Sequence, residues 1–357
     1  MTSTDAGTTP LDQQVLDATV GALELFGVYL GDRLGLYEIL RRRGASTVAE
    51  LAGAAGIAPR YAREWLEQQS VAGVLTVDDV TATAEARRYE LPDAHVGVLA
   101  DPVAPDHLAP FARMIVGIAT VLDDVVTAYR TGTGVPYARY GADFRIGQGS
   151  INRPAFSSAL VEEWLPALGP PAERLATGGR LADLACGHGW SALAVAGAYP
   201  GAEVWGIDSD EASITEARAA AAERGLRVRF ECVDGTALAT HGPFDVVLLL
   251  ESLHDLARPV DVLASARAAL SGDGVLLVAD EAVAPSFTAP GDQMERMMYG
   301  WSISHCLPAS MAEQPSAAIG TVMRESTVRD LAAGAGFADV EVLDVDGGFF
   351  RLYALRP

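Results

Sequence analysis

The chain is poor in cysteine, poor in positive charge, and has no long uninterrupted apolar run. Its 357 residues include three cysteines, Cys186, Cys232 and Cys306. They stand too far apart for a disulfide framework or a C-x-x-C metal knuckle. They suit a reducing compartment, so a cytoplasmic location is expected. Arginine and lysine number 26 against 47 acids, a net charge of −21. A surface that negative repels phosphate backbones, and no nucleic-acid partner is expected. The most apolar early stretch, Leu16 to Leu40, is interrupted by Glu24, Asp32 and Arg33. A membrane helix needs about 20 mostly apolar residues, so no membrane partner is expected either. Residues 1–10 are small and polar, with neither the basic start nor the apolar run of a secretory leader.

Half of the residues are hydrophobic, enough for a real core, and the length suits two to three domains. Val15, Val20, Leu23, Leu30, Leu34 and Leu40 recur near helical spacing and predict helix over 11–43. Ser46 reads as the N-cap of a second helix that ends at Gly56. Pro59 opens a third, from Arg60 to Gln69. Short strands at 74–77 and 89–91 complete a winged-helix pattern. Arg60, Tyr61 and Arg63 alternate with Glu64 and Glu67, which is not a basic stripe. The module is therefore expected to be structural or dimerising. Leu16 to Leu40 is more apolar than one buried helix face requires, which predicts a homodimer. Further on, 101–110 reads as a proline-rich linker, 111–129 as a helix, and 156–168 as another. Gly132 to Gly149, with Tyr137, Tyr140, Arg145 and Gln148, reads as a loop or lid.

From Gly179 the pattern changes to alternating strands and helices. Strands are predicted at 180–186, 204–208, 228–234, 244–253 and 274–280, with helices at 191–199, 210–224 and 260–270. That alternation means a parallel sheet with helices on both faces. Segments 340–345 and 349–355 flank Gly347-Gly348 and predict a hairpin at the sheet edge. The fold class is α/β, a Rossmann-like sheet behind a helical winged-helix domain. The expected domains are 1–95, a helical linker and lid region at 96–175, and a sheet domain at 176–357 with a cap insertion at 284–324.

The first of these strands runs into Asp183-Leu184-Ala185-Cys186-Gly187-His188-Gly189, a turn that lets a ligand approach the backbone. The second ends in Asp208, placed to bind ribose hydroxyls, and the third in Asp234-Gly235, suited to an adenine edge. A dinucleotide enzyme carries similar signals. Two details oppose it: the glycine turn follows a long helical region, and the sheet ends in a hairpin.

On these residues the stretch from Arg180 onward resembles class I S-adenosylmethionine-dependent methyltransferases, with a seven-stranded sheet. Asp183 to Gly189 is similar to their first motif, with Ala185 at a position usually glycine. The whole chain resembles a bacterial branch with a winged-helix N-terminus, through Arg60 to Gln69, Gly187 to Ser191 and Glu251 to Asp255. The resemblance implies S-adenosylmethionine as cofactor and S-adenosylhomocysteine as product. It implies cofactor contacts at Asp183, Ala185, Gly187, Gly189, Asp208, Ser209, Asp234, Gly235 and Glu251. The acceptor would be a small organic molecule, methylated on oxygen or else on nitrogen or carbon. Two other functions stay open: a non-methylating enzyme on the same fold, and a cofactor-responsive DNA-binding regulator.

His254 follows the fourth of these strands, and Asp255 beside it could orient or charge the ring. The domain order also resembles plant-type O-methyltransferases, in which a His-Asp pair supplies the base. Either His254 is that base or it packs under the cofactor. Five of the seven methionines fall in 284–324, with Tyr299, Trp301, His305 and Cys306. They suit either an adaptable apolar pocket or an ordinary core helix. The pocket candidates are Tyr140, Gln148, Met294, Met298, Trp301 and His305. No metal is expected, since His305-Cys306 alone falls short of the ligands a metal site needs.

Overall fold

A computed structural model describes residues 10–357, which fall into two units. One runs to Val116 and includes Ile146–Ile151; the other is Gly117–Arg145 with Asn152–Pro357. Residues 96–175 therefore do not stand as a region of their own. The reason is local. Gly147 lacks a Cβ, which would lie 2.9 Å from the Pro110 carbonyl oxygen, so this turn packs closely on the first unit.

The first unit holds α1 (Leu11–Arg33), α2 (Leu36–Arg43), α3 (Val48–Ala55), α4 (Pro59–Val71), the wing strands β1 (Thr76–Val77) and β2 (Tyr89–Glu90), α5 (Asp93–Ala100) and the start of α6 (Pro110–Ala119). The expected helix 11–43 is broken at Gly35, which adopts φ +65°. The N-cap of α3 is Thr47, which forms a capping box with Glu50. Ser46 instead pairs its backbone with Tyr89. Leu36, Leu40, Leu51, Leu66 and Tyr89 make the core. Tyr37 donates to Gln69 at 2.5 Å, and Trp65 donates to the Gly27 carbonyl at 2.9 Å. α1 buries only Gly27 and Gly31. A Cβ at Gly31 would stand 2.4 Å from the Tyr37 ring, so close approach requires glycine. The large side chains of α1, from Leu11 through Val15, Leu16, Leu23 and Leu30, are exposed.

The second unit carries α7 (Leu122–Thr131), the rest of α8 (Gly141–Ser157), α9 (Pro170–Glu173) and a seven-stranded sheet. The expected helix 111–129 is two helices, α6 and α7, separated by Thr120 and Val121. The expected loop 132–149 is helical from Gly141 onward. Its glycines permit close packing: a Cβ at Gly147 would sit 2.8 Å from the Met114 side chain.

The sheet strands are β3 (Arg180–Leu184), β4 (Glu203–Asp208), β5 (Val228–Cys232), β6 (Phe244–Leu250), β7 (Leu270–Glu281), β8 (Asp339–Val342) and β9 (Phe350–Arg356), in the order β5-β4-β3-β6-β7-β9-β8. The first five are parallel, and β9 runs antiparallel to both β7 and β8. The predicted hairpin is thus the β8–β9 edge. Helices α10 (Trp190–Ala198) and α11 (Glu211–Arg224) cover one face, and α12 (Pro259–Ala269) and α15 (Glu325–Gly334) the other. Between β7 and α15 the insertion forms α13 (Gln293–Trp301), a wide turn at Ser302–Cys306 and α14 (Leu307–Ser310). Burial on both faces explains why β6 is almost wholly apolar. No described helix is long and apolar enough to cross a membrane.

Candidate active site

Parallel strands bring the carboxyl ends of β3 to β7 to one edge of the sheet, where open α/β folds bind ligands. After β3 the chain turns through three left-handed residues, Ala185 (φ +54°), Gly187 (φ +51°) and Gly189 (φ +73°). Alanine there is strained, a feature that clusters at functional sites. The two glycines do different work. A Cβ at Gly187 would meet nothing within 4 Å, so its backbone faces open space. A Cβ at Gly189 would come within 2.6 Å of the Phe230 ring, so this glycine lets α10 pack on β5.

Asp183 lies beneath this turn rather than at its surface. It is fully buried and accepts a hydrogen bond from Ser191, and burial pushes its carboxyl up to about 7. Asp208 reaches across from β4. Its carboxylate accepts the Gly187 N–H at 2.8 Å and the Asp210 N–H at 2.8 Å. Burial raises its pKa, and these N–H bonds oppose the rise. The group is thereby fixed in orientation with lone pairs to spare. Ser209 beside it is exposed. Asp234 ends the β5 segment and caps the following turn, accepting from the Thr236 N–H at 2.9 Å. The Thr236 hydroxyl, which donates to the same oxygen, and then that N–H hold its carboxyl below the usual range. Gly235 follows it, and a Cβ there would stand a tight 3.2 Å from Val262.

Beyond β6 lies a cluster of buried ionisable groups. Glu251 takes φ +50° and accepts a hydrogen bond from Asn152. His254 is 1 % exposed. Its Nδ1 sits 2.8 Å from Asp280 Oδ1 and 3.2 Å from Glu281 Oε2, at the end of β7. Its Nε2 faces Asp255 Oδ1 at 3.3 Å. Burial alone disfavours the imidazolium, but the combined charge of Asp280, Glu281 and Asp255 outweighs it, and the pKa stands well above the ordinary value. Burial in turn pushes Glu281 up to about 7 and Glu251 well above its usual value. Asp280, Glu281 and Asn152 are missing from the sequence expectation. The strand-end rule that selects Asp208 and Asp234 applies equally to Asp280-Glu281.

The insertion supplies the far wall. His305 stacks on Phe144 with ring centres 3.9 Å apart and meets Tyr140 edge-on at 4.5 Å. Tyr140 donates to the Ser304 carbonyl at 3.1 Å. Burial lowers the His305 pKa to about 3, so the ring is neutral. Its Nδ1 lies 3.4 Å from Cys306 Sγ, and that thiol lies within 4.8 Å of His254 and Asp255 ligating atoms. Met298 is buried, while Met294 and Trp301 are half-buried on the same helix, α13. Gln148 belongs to the first unit. Tyr137, expected in the lid but not among the pocket candidates, is raised in pKa by burial and then by Asp208, Asp210 and Asp255. Its ring meets Phe144 and His305 edge-on, with centres 6.1 and 5.9 Å away.

Residues 181–274 match the family described as "Methyltransferase domain". Over those residues the sheet domain is similar to a methyltransferase domain. Ahead of it, residues 21–101 match the Rv2258c-like winged HTH domain. The ubiquinone biosynthesis O-methyltransferase of Roseobacter denitrificans is 38% identical over 97 residues, 27% of this chain and 38% of that protein. The chain thus spans well under half the length of the curated relatives it matches. Solved structures extend the likeness in fold. Human N-acetylserotonin methyltransferase, solved in complex with SAM, gives a TM-score of 0.71 at 16% identity, covering 98% of this chain and 99% of the other. The mitomycin 7-O-methyltransferase MmcR gives 0.62 at 21% identity, covering 97% of each. At these identities the likeness is one of fold, and it extends over nearly the full chain.

Proposed function

We propose that this chain transfers the methyl group of S-adenosylmethionine to a hydroxyl of a small organic molecule, releasing S-adenosylhomocysteine. The carrying observation is the buried His254–Asp280 pair at the end of β6 and β7, beside the strand that bears the open glycine turn. The sulfonium supplies an electrophilic methyl when bound. The chain's residues supply the rest. Asp208, held by the Gly187 and Asp210 N–H groups, is placed for a ribose diol, and Asp234-Gly235 for the adenine edge. Open backbone at Gly187 and the strained Ala185 and Glu251 carbonyl region would line the amino-acid end. His254 Nε2 takes the proton of the acceptor hydroxyl, and Asp280 fixes the ring by accepting from Nδ1. A neutral amine acceptor needs no such base, which is why oxygen is preferred. Tyr140, Met298 and His305 wall the acceptor side, and Met294 and Trp301 are assigned to it as well.

The winged helix serves assembly rather than DNA. On α4, Arg60 pairs with Glu64 and Arg63 with Glu67, which spends both cations within the helix. The exposed apolar face of α1 supports a homodimer. A cytoplasmic site fits the three free cysteines. No metal is assigned, since His254 is committed to proton transfer. Calorimetry with S-adenosylhomocysteine tests the cofactor assignment: saturable one-to-one binding is expected, and no binding would overturn it.

A further inference from the structure

The glycine turn after β3 is strained backbone, with Ala185, Gly187 and Gly189 all left-handed. Such a conformation persists only where its surroundings fix it. From the β4 side the turn is fixed by Asp208, which accepts the Gly187 N–H. A second support comes from residues that the methyl-transfer reading does not use. His188, between the two glycines, is largely buried, and its Nε2 stands 2.9 Å from Glu216 Oε2 on α11. That approach is close without the alignment of a full hydrogen bond, so Glu216 cannot move far without moving the ring. Glu216 Oε1 accepts a hydrogen bond from Arg145 Nη2 at 2.9 Å. Arg145 belongs to α8, and its Nε lies 3.9 Å from Asp210 Oδ2. Asp210 gives its own N–H to Asp208. The contacts close on themselves: Gly187, Asp208, Asp210, Arg145, Glu216 and His188 encircle the turn.

The same helix meets this edge of the sheet at a second point. Asn152, about two helical turns beyond Arg145 and on the same face, donates to Glu251 after β6. Arg153 beside it lies over the Trp190 ring at 4.3 Å, and Trp190 opens α10 directly after the turn. Arg145 and Asn152 thus set one face of α8 against both the β4 and the β6 ends. The Glu216 side chain is 43 % exposed and that of Arg145 18 %. An ion pair so open to water adds little to the stability of the fold. Its place beside the turn gives it another use.

Resting on the proposed methyl transfer, we infer that Arg145 is a positioning residue for the cofactor: through Glu216 it holds His188, and with it the turn whose open backbone receives the cofactor. Arg145 acts through the turn and not by touching the cofactor.

The test is calorimetry with S-adenosylhomocysteine on Arg145→Ala, Glu216→Ala and the double variant, beside the melting temperature of each without ligand. Each single substitution is expected to weaken binding about three- to fivefold, the reach of one partly exposed ion pair. The double variant is expected to lose no more than either single one, because both changes open the same clasp. Melting temperatures stay within about 2 °C of native. Losses under about twofold in both single variants, or losses that multiply in the double, overturn the inference. So does a loss confined to Arg145→Ala, which makes that side chain a direct cofactor contact. A fall in melting temperature with binding unchanged also overturns it, since the pair is then structural alone. Should an alanine variant not fold, Arg145→Lys and Glu216→Gln carry the same comparison. Failure of S-adenosylhomocysteine to bind the native protein is a different result, and overturns the methyl-transfer reading beneath.

Discussion

His254 presents a conflict at the scale of one residue. A base must be neutral to accept a proton, yet the carboxylates around this ring hold it protonated well above the ordinary histidine value. The sign follows directly. Below the raised pKa the imidazolium predominates and cannot act; above it the neutral ring does. The rate of methyl transfer is therefore expected to rise with pH through a pKa above about 6.5, the unperturbed value. In Asp280→Asn, with one of the attracting charges removed, the rise moves to lower pH, and a profile that stays in place would count against the pair. His254→Ala should lower kcat by about 10²–10⁴-fold, the usual share of general-base catalysis, with little change in cofactor affinity. A rate within a few-fold of native would assign the ring to packing. For Asp208→Asn, loss of charge-assisted hydrogen bonds predicts at least about tenfold weaker binding of S-adenosylhomocysteine by calorimetry. His254 and Asp208 are legible in the sequence because each follows a recognisable strand. Asp280 and Glu281 were equally placed by that rule, but the sequence does not show that β6 and β7 are neighbours, and that adjacency is what brings them to the ring.

The cap insertion is held at its neck by Glu295. That carboxylate accepts the Ala284 N–H at 2.9 Å and pairs with Arg324 at 3.1 Å, joining the two ends of the segment through α13. Arg324 also donates to the Ala284 carbonyl. Glu295→Ala is expected to cost about 1.5–3 kcal/mol, the range for hydrogen bonds to charged groups. Limited proteolysis should show faster cleavage within 284–324, and an unchanged digest would contradict the neck. Strand-helix alternation made the sheet readable, because apolar runs of that length have few other uses. The region 92–175 misled for an equally physical reason. Glycine at 132–149 reads as loop, whereas Gly147 is a packing position inside a helix.

For the whole molecule, α1 is the feature a single copy does not explain. It spends its buried face on Gly27 and Gly31 and leaves Leu16, Leu23 and Leu30 exposed. A homodimer formed over this face predicts that Leu16→Glu with Leu23→Glu yields a soluble monomer by light scattering, and an intact dimer would refute it. The sequence showed the excess of apolar residues but not its division between faces, since the glycines that contact Tyr37 and Trp65 carry no hydrophobic signal. The central claim, methyl transfer to a small molecule, is tested most directly by product mass. The protein is incubated with S-adenosylmethionine and a pool of small phenols and alcohols, and the mixture is read by mass spectrometry. The account predicts a product heavier by one CH₂, formed in step with S-adenosylhomocysteine and strongly reduced with His254→Ala. Tight cofactor binding with a product changed by any other mass, such as loss of carbon dioxide or gain of oxygen, would contradict it.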